Sequence, residues 1–142
     1  MEPGTGFSQL DPDSGERFQR LRAELGVSTF GMNLVVMQPG QVGRIHRHEH
    51  QEEVYVVLEG ELALMLEGEE RRVPTGGVVR VAPDIRRQLV NRRPQRLVLL
   101  ALGGSAPHEG RDGRAYVSWE ATEGAPPQEV PPPSDVPVEP AA

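Results

Sequence analysis

The sequence contains no cysteine. That removes a disulfide framework, a thiolate metal ligand and a thiol nucleophile together. No apolar run approaches the about 18 residues that a membrane-spanning helix needs, so no membrane partner is expected. Residues 1–15 are polar and rich in Pro and Gly, without the basic start and apolar stretch of a secretory signal, which makes a cytoplasmic location the default expectation. Positive charge is in deficit: 15 Lys plus Arg against 21 Asp plus Glu leave a net charge of −6. A nucleic-acid binder needs the opposite surplus to neutralise phosphates, so no nucleic-acid partner is expected. Nothing in the chain matches a nucleophile elbow, a P-loop or a dinucleotide fingerprint.

What is present suits one small domain with tails. The 142 residues include 16 Gly and 14 Pro, a mix that favours many short strands joined by turns over a helical bundle. Residues 1–27 form an N-terminal segment in which Ser14 can cap a short amphipathic helix. Phe18, Leu21 and Leu25 recur there at helical spacing, and Gly26 is a plausible stop. Residues 28–120 read as an all-β domain with strands at 30–37, 54–58, 62–66, 71–73, 78–82, 88–91 and 96–102. A late strand or hook surrounds Tyr116, Val117 and Trp119. Short strands at this spacing predict a sandwich or barrel, and the lack of long helical patterns between them argues against βαβ units. Residues 121–142 form a Pro-rich tail, expected to be disordered, extended and mobile because it cannot bury enough apolar surface to offset its ordering entropy.

The chemistry is concentrated between Gly40 and Gly60. Side chains alternate along a strand, so His46 and His48 point to one face and can share a metal ion. Glu53 has the wrong parity for that face on a continuous strand, but a corner near residues 49–51 can bring it back. Two imidazoles and one carboxylate with open positions left over form a recurring design for metal catalysis, compatible with iron, manganese, zinc, nickel or copper. Six arginines, Arg80, Arg86, Arg87, Arg92, Arg93 and Arg96, crowd one stretch. They read first as solvated strand ends, and alternatively as a positive rim that attracts a small anionic ligand.

The run Gly40, His46, His48, Glu53 and Gly60 resembles the first motif of the cupin superfamily at every fixed position. The resemblance implies a double-stranded β-helix, or jelly-roll barrel, with His46, His48 and Glu53 as metal ligands. The second cupin motif is matched only in part. Gly77 and Pro83 fit, but Ile85 replaces a glycine and the fourth ligand, a histidine, is missing. Counted from Pro83, Gln88 takes its place and could bind weakly through its amide oxygen. Counted from Asn91, Arg87 takes its place and cannot bind a metal, since a guanidinium stays protonated. The Pro83 count is preferred, which makes Gln88 the candidate fourth ligand. His50 shares the parity of His46 and His48 but is expected in the corner facing solvent, and His108 in a loop after the barrel.

Strands 54–58, 62–66 and 97–102 are apolar on both faces. One face can fill the barrel; the other needs cover, from the N-terminal helix and from a second subunit. Cupin resemblance also implies a homodimer. Two functional classes follow: a metal-dependent enzyme on a small molecule, such as a dioxygenase, isomerase or decarboxylase, and a ligand-sensing or scaffold cupin without turnover.

Overall fold

The computed structural model describes residues 4–105 and 112–140. Among the described residues, ten strands form two antiparallel five-stranded sheets that close face to face into a jelly-roll barrel. The first sheet has the order β1 (Phe18–Arg20), β2 (Gly31–Met37), β9 (Leu97–Gly104), β4 (Glu52–Glu59) and β7 (Val78–Val81). The second has the order β10 (Gly113–Tyr116), β3 (Ile45–His48), β8 (Arg87–Val90), β5 (Leu62–Leu66) and β6 (Glu69–Val73).

The period-2 alternation decides what faces the interior. Val35, Met37, Tyr55, Val57, Leu97 and Leu99 of the first sheet meet Leu62, Leu64 and Leu89 of the second in one buried cluster. Truncating such a side chain to Ala typically costs about 2–5 kcal/mol. The alternate residues of the first sheet, Leu34, Val36 and Val98, pack outward against Leu21 and Leu25 of the only α-helix among the described residues, α1 (Leu21–Leu25). This explains why strand 97–102 carries no polar face.

The N-terminal helix is shorter than the sequence pattern predicts. Phe18 lies on an edge strand, Arg20 is the N-cap, and the Ser14 hydroxyl accepts from the Glu16 N–H in a local turn instead of capping a helix. Strand pairing of Phe18–Arg20 with β2 outweighs a helical spacing of only three apolar residues. The predicted stop is correct: Gly26 closes the helix at φ 77°, in the left-handed region that glycine enters without a Cβ penalty. Gly60 turns β4 into β5 at φ 81°, where a Cβ would lie 2.4 Å from the Arg96 carbonyl oxygen.

The described part of the Pro-rich tail lies along the second sheet, extended apart from one 3-10 turn at Pro127–Glu129. Val130 is buried, the Arg44 Nε donates to its carbonyl, and the Val136 N–H donates to the Gly40 carbonyl. Among the described residues, no helix is long and apolar enough to cross a membrane.

Candidate metal centre

The corner expected near residues 49–51 is where the chain leaves one sheet for the other. β3 belongs to the second sheet and β4 to the first. Both sheets turn their inner faces to the same cavity, so His46 and His48 on β3 and Glu53 on β4 converge despite their parity. The ligand atoms of the three residues all lie within 4.8 Å of one another. His46 Nε2 is 3.4 Å and His48 Nε2 3.5 Å from Glu53 Oε1. The two rings meet edge to face with centroids 5.4 Å apart.

The hydrogen bonds behind the rings set their tautomers. His46 Nδ1 lies 3.1 Å from the Arg44 carbonyl oxygen and His48 Nδ1 2.8 Å from Asp112 Oδ1. Carbonyl and carboxylate oxygens only accept, so each Nδ1 carries the proton when the ring is neutral. Each Nε2 then presents a lone pair to the Glu53 oxygen. His48 Nε2 is buried and has no hydrogen-bond partner. A lone pair aimed at a carboxylate is stabilised by a cation between the two, either a proton on the ring or a metal ion. Imidazoles backed by a carboxylate or carbonyl are the usual arrangement around a metal. The donor set therefore fits a divalent cation held by three protein ligands.

Asp112 is the hub of the backing network. Its Oδ1 also accepts from Gln51 Nε2, and its Oδ2 accepts the N–H groups of His50 and Gln51, at 2.6 and 2.7 Å. One carboxylate thus holds both the His48 ring and the corner that redirects the chain to Glu53. Burial raises the Asp112 carboxyl, but the hydrogen bonds from His48, His50 and Gln51 outweigh it and the net shift is downward. Burial likewise disfavours the charged His48 ring; the Glu53 and Asp112 carboxylates outweigh it and raise its pKa. For Glu53, burial opposes ionisation, and the two histidines more than offset it, holding the carboxyl well below its ordinary range.

Two further groups bind Glu53 from below. The Tyr55 hydroxyl donates to Oε1 at 2.5 Å, and Arg87 Nη1 stands 3.3 Å from the same atom. Burial and the Glu53 charge push the Tyr55 phenol well above its ordinary value, so it remains a donor. Arg87 is fully buried, and its Nη2 donates to the Ala82 carbonyl.

The fourth-ligand position is thereby assigned to Arg87, which corrects the expectation for Gln88. His46 pairs directly with Arg87 across β3 and β8, which puts the two side chains on one face. Gln88 points to the opposite face, where its Nε2 donates to the Gly43 carbonyl. Asn91 anchors this register: fully buried, its Nδ2 donates to the carbonyls of Met37 and Gln95 and its Oδ1 accepts from the Arg93 N–H. Three side-chain bonds to backbone outweigh the spacing from Pro83. His50 is exposed in the corner, as expected, and His108 lies outside the described residues.

The arginine-rich stretch does not form one rim. Arg80 pairs with Glu52, Arg92 with Glu70, Arg93 with Glu139 and Arg96 with Glu59 and Asp13. Arg86 lies 3.7 Å over the Tyr116 ring and donates to the Ala121 carbonyl. Tyr55 and Asp112 are absent from the sequence reading. Tyr55 had a signal, since it follows Glu53 by two residues on one strand. Asp112 had none, being 64 residues from His48.

The sequence profile of the family described as Cupin domain matches residues 33–103. The chain belongs to the cupin family. No curated protein matches the sequence. Among solved structures, a sugar phosphate isomerase from a cupin superfamily of Silicibacter pomeroyi is 30% identical, with a TM-score of 0.63 over 78% of this chain and 82% of that one. A Cupin 2 conserved barrel domain protein from Salinispora arenicola is 29% identical, with a TM-score of 0.58 over 69% and 82% of the two chains. A cupin protein from Bacteroides fragilis is similar in fold at 20% identity, with a TM-score of 0.64 over 78% and 92%.

Proposed function

We propose that this cupin binds a divalent metal ion through His46, His48 and Glu53 and uses it in an isomerase-type reaction on a small hydroxylated molecule. The observation that carries the reading is the pair of Nε2 lone pairs turned on the Glu53 oxygen, each fixed by a hydrogen bond at Nδ1. The 30% identical relative named as a sugar phosphate isomerase supports the reaction class.

A divalent ion at such a site supplies Lewis-acid polarisation of a ligand oxygen. The protein's own residues do the rest. Asp112 holds His48 in one tautomer. Tyr55 and Arg87 fix the Glu53 carboxylate and delocalise its charge. The apolar cluster beneath them, with Leu99 and Val57, keeps water from the inner side of the site.

Arg87 favours a second reading, a ligand-sensing cupin without turnover. A fixed guanidinium neutralises part of the charge that would attract a cation. Elemental analysis of purified protein, followed by reloading with iron, manganese, zinc, nickel or copper after chelation, separates the two. Stoichiometric metal in the wild type, lost in a His46→Ala/His48→Ala variant with unchanged β-rich circular dichroism, is the expected result. A double variant that binds metal like its parent overturns the site.

We also propose a homodimer through the outer face of the first sheet. Phe30, Leu58 and Val78 are exposed there, at 37, 39 and 65%, beyond the reach of α1.

A further inference from the structure

Above His48 and Glu53 the barrel opens into a cavity whose opposite wall is the N-terminal segment, with Arg20 and Arg22. The strand register explains how they reach it. Arg20 pairs with Asn33 across β1 and β2, and Asn33 shares its face with Val35 and Met37 of the barrel core. Arg20 therefore lies on the inner side of the sheet edge. The next residue, Leu21, is buried on the outer side against Leu34, Val36 and Val98. The chain wraps around the edge at this point, and Leu21 anchors the wrap. The two arginines are thus placed by packing.

Their charges are uncompensated. Arg72, Arg80, Arg87, Arg92, Arg93, Arg96 and Arg114 each face a carboxylate. Among the described residues, the guanidinium groups of Arg20 and Arg22 have no ion-pair or hydrogen-bond partner. In a chain of net charge −6, two such cations at the entrance of one cavity form a local anion attractor. Between them and the ligand cluster the wall is polar or lacks a side chain. Asn33 offers a side-chain amide with no hydrogen bond among the described residues, and Gly31 and Gly103 leave the space open. A Cβ on Gly103 would stand 2.7 Å from Gln51 Oε1 and 3.5 Å from Glu53 Cγ.

We propose that the ligand of this site is a small hydroxylated phosphate monoester, its phosphate held by Arg20 and Arg22 at the entrance and its hydroxylated body extending past Asn33 towards Glu53. This rests on the reading of the site as a ligand-binding metal centre and adds the ligand's charged group. Two guanidiniums match a dianion, and their planar forks suit phosphate oxygens.

The test is calorimetric titration at low ionic strength with glucose 6-phosphate, glucose and inorganic phosphate, on chelated wild type and on Arg20→Ala/Arg22→Ala and Arg71→Ala variants. Arg71 is an exposed arginine elsewhere on the barrel, with no ion pair among the described residues, and controls for general charge. Glucose 6-phosphate should bind more tightly than either glucose or inorganic phosphate. The Arg20→Ala/Arg22→Ala variant should lose at least tenfold in affinity, and Arg71→Ala should keep it. No binding, equal binding of glucose and its phosphate, equal binding of inorganic phosphate, or an equal loss in Arg71→Ala overturns the proposal. Every arm uses metal-free protein, so failure of the metal reading shows separately, in elemental analysis. All variants keep Leu21 and the barrel core, and circular dichroism confirms their folding.

Discussion

Arg87→His places an imidazole where the second cupin motif would have one, and removes the charge that now stands there. The guanidinium is 3.3 Å from Glu53 Oε1, so a cation on that carboxylate would lie about 5 Å from it. At an effective dielectric of about 20, a unit charge and a dication at that separation repel by about 7 kcal/mol. Part of this is offset, because Arg87 also lowers the charge of the carboxylate that attracts the metal. A net gain of about 1.5–3 kcal/mol, plus the added ligand, tightens metal binding by one to two orders of magnitude. Without metal the variant should be less stable than its parent. Removing one partner of a buried ion pair costs about 3–5 kcal/mol, a fall in Tm of roughly 10 °C for a chain of this size. Competition titration against a chromogenic chelator and melting curves with and without metal measure both effects. Gln88→His should change neither affinity nor its dependence on metal identity, because that side chain faces Gly43. The reasoning fails if Gln88→His tightens binding, or if Arg87→His binds no better than wild type.

Asp112→Ala should lower metal affinity about 10- to 100-fold by freeing the His48 ring, measured in the same competition assay. The Asp112 carboxyl titrates below its ordinary range, so its stabilising effect is complete above about pH 4 and disappears as pH falls through the lowered value. Melting curves of metal-free protein should show this acid limb, flattened in Asp112→Ala. Gly103→Val should block the cavity over Glu53 and weaken glucose 6-phosphate binding by calorimetry. Light scattering over a dilution series should give twice the monomer mass, and Val78→Glu should shift it towards the monomer; a wild type monomeric at every concentration contradicts the dimer.

The barrel and its three-residue cluster were legible in the chain because both are encoded locally. Turn residues mark the strand ends, strand alternation puts His46 and His48 on one face, and the corner that returns Glu53 to them lies only a few residues further on. Gly60 is bound by a positive φ that a single position reveals. The occupant of the fourth position was not legible, because two spacings competed and only the buried bonds of Asn91 to Met37 and Gln95 select between them. Asp112 behind His48, and Arg20 at the mouth, are long-range placements with no local signature. The N-terminal segment misled for the same reason: pairing with β2 converts part of a helical pattern into an edge strand. Alternation and turn chemistry act over a few residues and can be read from neighbours. The contacts that fix tautomers, charge pairing and the shape of the cavity join residues dozens of positions apart, and only the closure of the two sheets brings them together.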